Sequence, residues 1–410
     1  MPDPVAPFRQ PSMSTKLIAA IVAFALGASA VAAPKKYDPG ASAGEIKIGN
    51  IMPYSGPASA YGVIGRVEAA YFRMVNDAGG INGRKIRFIS RDDGYNPAKT
   101  VEAARELVEQ EQVLLLFNCL GTPTNAAIHK YMNTHKVPQL FVAAGASKWG
   151  DPRHYPWTMG GQPSYRAEAR IYAAHIRRTR PDAKIAVLYQ NDDYGRDYLE
   201  GFKEGLGDKA ASIVAALSYE VTDPTVDSQI IQLKASGADV LFDVATPKFA
   251  AMAIRKAYAI GWRPVHYLNS VSNSIASTLK PAGPDQAVGL YSAAYLKDPA
   301  DARWADDPGM RRWRAFMSKY FPEGNQADYL NVYGYAAAQL LVQVLKQAGD
   351  ELARENVMRQ AANLKDLQLD VALPGIRVNT GADDYYPFES MQLERFDGKR
   401  WVLFGGAAGN

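Results

Sequence analysis

One cysteine, Cys119, stands in a chain of 410 residues. A single thiol excludes an intrachain disulfide and any zinc site built on cysteine pairs. Cys119 follows the apolar run Val113–Phe117, so it reads as a buried, inert thiol. Histidine is scarce too: there are five, His129, His135, His154, His175 and His266, and none falls at metal-ligand spacing. His129 and His135, on or just after one helix, read as solvated surface. Enzyme signatures are missing. The sequence holds no Walker loop, no H-E-x-x-H, no G-x-S-x-G and no C-x-x-C. The stretch from Gly145 to Gly150 lacks the lysine and hydroxyl of a phosphate loop. Adjacent acids at Asp92-Asp93 and Asp192-Asp193 sit near strand ends, where caps and turns account for them. No catalytic residue, metal site or cofactor is expected. Charge is nearly balanced, with 46 basic against 42 acidic residues and a net +4. No basic run stands behind that excess, so neither nucleic acid nor an anionic membrane is implied as a partner.

What is present begins with an address. Lys16 precedes the apolar run Leu17–Leu26, then small residues from Gly27 through Ala33. These are the parts of a cleavable secretory signal, and the run is too short for a membrane span of ~20 residues. Met13 reads as the natural start, which leaves residues 1–12 as an upstream extension of a signal covering 1–32. Cleavage is expected after Ala32, with Ala30 and Ala33 as the neighbouring choices. The expected destination is the periplasm.

From Glu45 onward short apolar runs alternate with amphipathic stretches. Strands are expected at Ile46–Ile51, Ile86–Ser90, Val113–Phe117 and Gln139–Val142, then at Ile185–Tyr189, Ile213–Leu217, Val240–Val244 and Val265–Leu268. Helical windows lie between them, at Val63–Ala78, Pro97–Gln110, Thr124–Thr134, Asp197–Gly205, Ser228–Ser236 and Lys248–Ile260. Strand–helix–strand units of this length make parallel sheets covered by helices, an α/β fold in two lobes. A Tyr-Gly pair precedes the first helix of each lobe, Tyr61-Gly62 and Tyr194-Gly195. Ligands of open α/β sheets sit beyond the carboxyl ends of the strands, so both tyrosines are expected at the gap. Late helices (Pro308–Tyr320, Tyr329–Gln347, Arg354–Asn363) and final strands (Val288–Ala293, Met391–Phe396, Trp401–Phe404) suggest that the chain recrosses between lobes.

Two loops have the makings of an anion site. Thr122 is a good N-cap and Pro123 a good first helical residue, so free N–H groups and the positive helix end meet there. The next strand ends in Ala143-Ala144-Gly145-Ala146-Ser147, where small residues admit a ligand to the backbone and Ser147 adds a hydroxyl. The residues alone leave this open between a carboxylate grip and two ordinary strand-to-helix turns.

Gly49-Asn-Ile-Met-Pro-Tyr-Ser-Gly-Pro57, Tyr61-Gly62, Asn76-Asp-Ala-Gly-Gly-Ile-Asn-Gly83, Asp92-Asp93 and Asn96-Pro97 together resemble the branched-chain amino-acid-binding family of periplasmic proteins. The order of elements matches from about Glu45 to the C-terminus. The resemblance implies a type I fold of two doubly wound parallel-sheet lobes with a three-strand hinge. Residues 43–162 and 290–375 would form lobe 1, and 163–289 and 376–406 lobe 2. It implies a small-molecule carboxylate ligand, an ABC permease as partner and a monomer. Tyr61 and Tyr194 match cleft aromatics, Gly121, Thr122 and Ala144, Gly145, Ala146 and Ser147 match the carboxylate loops, and Thr246 takes the place of a cleft tyrosine. Two departures stand out. The family's disulfide is absent, with Tyr95 at one of its positions. The acid that holds a ligand ammonium aligns with Val271, and no Asp or Glu lies between Asp243 and Asp285. An unpaired ammonium in a dry cleft costs several kcal/mol. The expected ligand is therefore an aromatic or other hydrophobic acid without an α-ammonium, with Ser270, Ser272 or Asn273 available to a distal hydroxyl. The alternatives are a leucine/isoleucine/valine binder, if an acid such as Asp192 or Asp193 restores the amine site, and a ligand-sensing regulatory module.

Overall fold

The computed structural model describes residues 36–409 together with Ala6. The secretory-signal reading, Ala6 apart, lies outside the described residues. The first strand, Glu45–Met52, opens on alternation, with Ile46 and Ile48 fully buried and Lys47 between them partly exposed, and is buried on both faces from Ile48 to Met52. That strand, β1 (Glu45–Met52), leads through α1 (Gly62–Asp77), β2 (Lys85–Asp92), α2 (Pro97–Arg105), β3 (Leu115–Phe117), α3 (Thr122–Thr134) and β4 (Gln139–Val142) to β5 (Thr158–Gly160). All five strands are parallel, in the order β2-β1-β3-β4-β5.

The second lobe repeats the plan. Helix α4 (Tyr165–Thr179) precedes β6 (Ile185–Gln190), α5 (Asp193–Leu206), β7 (Ile213–Tyr219), α6 (Asp227–Ala235) and β8 (Val240–Val244). Then come α7 (Pro247–Ala259), β9 (Val265–Leu268), the single turn α8 (Lys280–Ala282) and β10 (Tyr291–Ala294). Their order, β7-β6-β8-β9-β10, matches that of the first sheet strand for strand. Helices α9 (Pro308–Tyr320), α10 (Tyr329–Ala348) and α11 (Arg354–Ala361) return to the first lobe, where α9 and α10 pack on α1. The antiparallel strands β11 (Ser390–Phe396) and β12 (Trp401–Leu403) then extend the second sheet past β10, and β13 (Ala408–Gly409) pairs with β11.

The chain thus passes between lobes three times, near 161–164, after Ala294 and just before Ser390. Two of these points differ from the expected boundaries. β10 is hydrogen-bonded between β9 and β11, so the crossing follows Ala294 instead of falling at 290. Residues 376–386 still pair with the first lobe, through Val378 with Leu367 and the Tyr385 hydroxyl with the Pro156 carbonyl, so the return begins at β11 and not at 376.

Caps account for the paired acids. Asp192 accepts from the N–H groups of Tyr194 and Gly195 and caps α5, and Asp93 accepts from Tyr95 N–H. Tyr194-Gly195 therefore lies inside the first turn of α5, not before it. Gly195 fits there because a Cβ would stand 2.0 Å from the Gln190 carbonyl. His129 also departs from expectation. It is buried, stacked on Tyr155 at 3.9 Å and edge-on to Trp149, and burial pushes its pKa down to about 4, whereas His135 is exposed. Cys119 is buried, and burial drives its thiol well above the usual range.

Helix α4 was absent from the expected elements, and β5 is too short to leave a pattern. Yet α4 carries an apolar stripe of Tyr165, Ala169, Tyr172, Ala173 and Ile176 at helical spacing, all buried. It packs tightly on α5 because α5 offers glycine at the contact: a Cβ on Gly201 would lie 2.4 Å from Arg166 Cα. Gly201→Val should force the two helices apart and destabilise the protein by about 2–3 kcal/mol, read as a lower urea midpoint with an unchanged slope.

Candidate ligand-binding site

Both sheets turn their carboxyl ends toward one gap. In an open α/β sheet, the strand order reverses beside the first strand, and the loops diverging there leave a crevice. That point lies between β1 and β3 in the first lobe and between β6 and β8 in the second. The loops leaving these four strands bring Tyr61, Gly121-Thr122, Tyr194 and Thr246 to the wall of one cavity. Ser270 and Val271, beyond β9, line it as well.

The lining is unusually phenolic, with seven tyrosines. Tyr61, from the first lobe, donates its hydroxyl to the Val271 carbonyl of the second at 3.1 Å. Tyr165 stacks on Tyr198 at 4.5 Å and meets Tyr194 edge-on at 5.3 Å, so the rings brace one another. The Tyr194 hydroxyl accepts from the Asn269 amide. Burial raises the pKa of every one of these phenols, so all present neutral hydroxyls.

Helix α3 begins at the cavity. Gly121 holds a φ of +100°, and a Cβ there would meet the Tyr95 ring at 2.5 Å, so only glycine suits the position. The first-turn N–H groups of a helix have no intrahelical acceptor and carry partial positive charge. Beside them the buried Thr122 hydroxyl, Gln162 Oε1 and the Tyr329 hydroxyl, all from residues that line the cavity, make no well-aligned hydrogen bond, although Tyr165, Tyr333 and the Leu296 backbone stand close to them in that order. Such groups suit a ligand that brings the missing bonds.

One carboxylate lies in this wall, and it comes from α4. Glu168 Oε1 accepts from Tyr172 Oη and Ser270 N at 2.7 Å each, and Oε2 accepts from Tyr198 Oη at 2.8 Å and Ser270 Oγ at 2.7 Å. Burial raises its pKa, and those four donors oppose the rise. A carboxylate has about four acceptor positions, and here the protein fills them all.

Seven of the twelve expected site residues line the cavity: Tyr61, Gly121, Thr122, Tyr194, Thr246, Ser270 and Val271. Ala144, Gly145, Ala146, Ser147 and Asn273 do not. Ser147, expected to hold a ligand carboxylate, gives its N–H and hydroxyl to Asp197 on α5 instead, and Arg166 Nε donates to the same carboxylate at 2.8 Å. That loop is thus a clasp between lobes. The Gly145 carbonyl accepts Tyr165 N–H at 2.8 Å, and Asn273 turns its amide to Glu394 at 2.8 Å. Missing from the expected set were Glu168, Tyr165, Gln162, Tyr295, Tyr329 and Tyr333. The Tyr165-x-x-Glu168-x-x-x-Tyr172 spacing was the available signal, since it puts one acid on the apolar face of a helix.

Just past the second crossing, burial pushes Asp298 up to about 6, reinforced by Asp301 and Asp328 and opposed by the Ala300 N–H. The unfolded chain releases this proton near 3.8 and the folded chain near 6, so stability falls as pH rises through that window and the cost is full above it. Asp298→Asn should therefore stabilise the protein by about 2–3 kcal/mol at pH 8 and change little at pH 3.5, as read by urea denaturation at the two values.

A family model described as periplasmic binding protein matches residues 45–399. Among curated relatives, Leu/Ile/Val-binding protein homolog 7 of Brucella abortus (strain 2308) is 24% identical over 382 residues, covering 89% of this chain and 92% of the relative. Homolog 1 of the same strain is 25% identical, with 85% and 94% covered. The valine-bound branched chain amino acid ABC transporter structure from Thermus thermophilus superposes with a TM-score of 0.81 at 18% identity, covering 89% of this chain and 97% of its own. A fatty acid ABC transporter substrate-binding protein from Thermomonospora curvata gives 0.77 at 22%, with 92% and 95% covered. At such identities the likeness to solved structures speaks for the fold. The match of the family model across most of the sequence speaks for more: the chain belongs to the periplasmic binding protein family.

Proposed function

We propose that this protein captures, in the periplasm, a small carboxylic acid without an α-ammonium, aromatic or otherwise hydrophobic, and delivers it to an ABC permease of the inner membrane. The role is capture without catalysis, by a monomer. The observation that carries the reading is the saturation of Glu168. The one acid among the cavity's lining residues has four donors from Tyr172, Tyr198 and Ser270, so no acceptor position remains for an ammonium. A carboxylate ligand would lie at the start of α3 against Thr122, and its apolar part among the tyrosine rings.

The runner-up is a leucine/isoleucine/valine binder. It draws support from the names of the Brucella relatives and from the presence of a carboxylate in the wall at all. Calorimetry on refolded, ligand-free protein separates the two. Benzoate- and cinnamate-type acids should bind about 100-fold more tightly than leucine or valine, and sub-micromolar leucine or valine binding would overturn the proposal. The Glu168→Gln variant gives an independent reading. It should keep acid binding within about threefold, whereas an amino-acid site would lose about 100-fold or more with its only charge partner. Thr122→Val should weaken the acid by about tenfold, the worth of one hydrogen bond to a charged group.

A further inference from the structure

A second concave site lies at the far end of lobe 2, where β9 and β10 begin and away from the cleft at their other ends. Its lining includes Arg180, Arg263, Arg395, Tyr258, Trp262 and Val288. No aspartate or glutamate is among the lining residues. These arginines are far apart in the chain, so no basic run announces them.

Their surroundings differ from those of most arginines here, which meet a carboxylate. Arg263 is spent on structure: it stacks on the Tyr258 ring at 3.8 Å and donates to the Tyr258 carbonyl at 2.8 Å. Arg395 stands over the Tyr291 ring at 5.5 Å, and no aspartate or glutamate lines the pocket beside it or Arg180. Behind them His266 is bound to the buried Asp243 at 3.2 Å, which leaves that acid facing inward. A guanidinium presents a planar fork that matches phosphate oxygens, and an aromatic ring beneath it fixes the plane. The rim is apolar as well. Few large hydrophobic side chains are exposed among the described residues, yet Val288 at 56% and Tyr258 at 43% both border this pocket. Exposed apolar groups beside cations mark an amphipathic surface rather than a simple anion hole.

We propose that this pocket is a second binding site, for the phosphate head of an anionic lipid whose apolar part lies on Val288 and Tyr258. Arg180 and Arg395 hold the phosphate, and the stacked Arg263 completes the positive wall. Because the site lies at the opposite end of the strands from the cleft, both can be filled at once, and the proposal does not depend on what the cleft holds.

The test uses dihexanoyl phosphatidylglycerol below its micelle concentration, dihexanoyl phosphatidylcholine and inorganic phosphate, titrated calorimetrically into the parent, an Arg180→Ser/Arg395→Ser double variant and Val288→Ser. Phosphatidylglycerol should saturate a single site and weaken about tenfold or more in the double variant. Phosphatidylcholine and inorganic phosphate should each bind about tenfold more weakly than phosphatidylglycerol, and Val288→Ser should weaken the lipid but not the phosphate. Absence of saturable lipid binding, equal binding by the double variant, or equal affinity for inorganic phosphate and lipid would each overturn the proposal. All the substituted side chains are exposed, and matched thermal melts verify that the variants fold.

Discussion

The wall of the cleft in the second lobe hangs on one buried carboxylate. Taking an anion out of water costs several kcal/mol unless hydrogen bonds replace its hydration. Glu168 recovers that cost from three directions: Tyr172 one turn further along α4, Tyr198 on α5, and the N–H and hydroxyl of Ser270 beyond β9. Two helices and a strand-end loop are thereby locked to a single pair of oxygens. The lock requires α4 and α5 to lie close together, which the glycine at 201 allows. Tyr165, on the same helix face, is then held stacked against Tyr198 with its edge to Tyr194. Charge satisfaction comes first in this lobe, and the aromatic surface follows from it.

The cavity itself follows from repetition. Identical strand order in the two sheets sets two crevices of the same kind facing each other, and the loops after the first and third strands of each sheet supply part of the lining. The lobes share one apolar cluster, which runs from Ile48 and Tyr61 in the first to Val187 and Tyr194 in the second, and polar contacts are added to it. Tyr61 reaches the Val271 carbonyl, Ser147 and Arg166 share Asp197, and Lys148 meets Asp193. Ion pairs with exposed partners are worth about 1 kcal/mol or less apiece.

Much of this was legible in the chain. The alternation of apolar runs with amphipathic windows marked most of the strands and helices, because a parallel strand buried on both faces and a helix buried on one leave distinct periods. Tyr61, Thr122 and Tyr194 were legible because strand ends and helix starts define where ligands meet open sheets. The Ser147 loop lies off the cavity for a physical reason. Small residues after a strand admit any close neighbour, and here α5 approaches with its Asp197. The boundary at 290 misled because an apolar run does not say which sheet it joins, and only the pairing of β10 with β11 decides it.

The acid was sought in the loop after β9, where an acid at the Val271 position would have projected into the gap, and that loop has none. An acid in a loop and an acid on a packed helix differ in more than position. A loop carboxylate keeps lone pairs free for whatever enters, while Glu168 sits among phenols and a serine that reach it first. The consequence reaches the ligand through Ser270, whose N–H and hydroxyl hydrogen are both turned toward Glu168. A group arriving at that wall meets aromatic edges, carbonyls and hydroxyl lone pairs instead of a bare anion. On the opposite side, the start of α3 offers first-turn N–H groups and the Thr122 hydroxyl, which makes no well-aligned hydrogen bond. The polarity of the cavity is therefore one-sided, with donors at one end and a neutral, ring-lined surface at the other. Such a surface offers no carboxylate with a free acceptor position and accepts a flat apolar body at little cost.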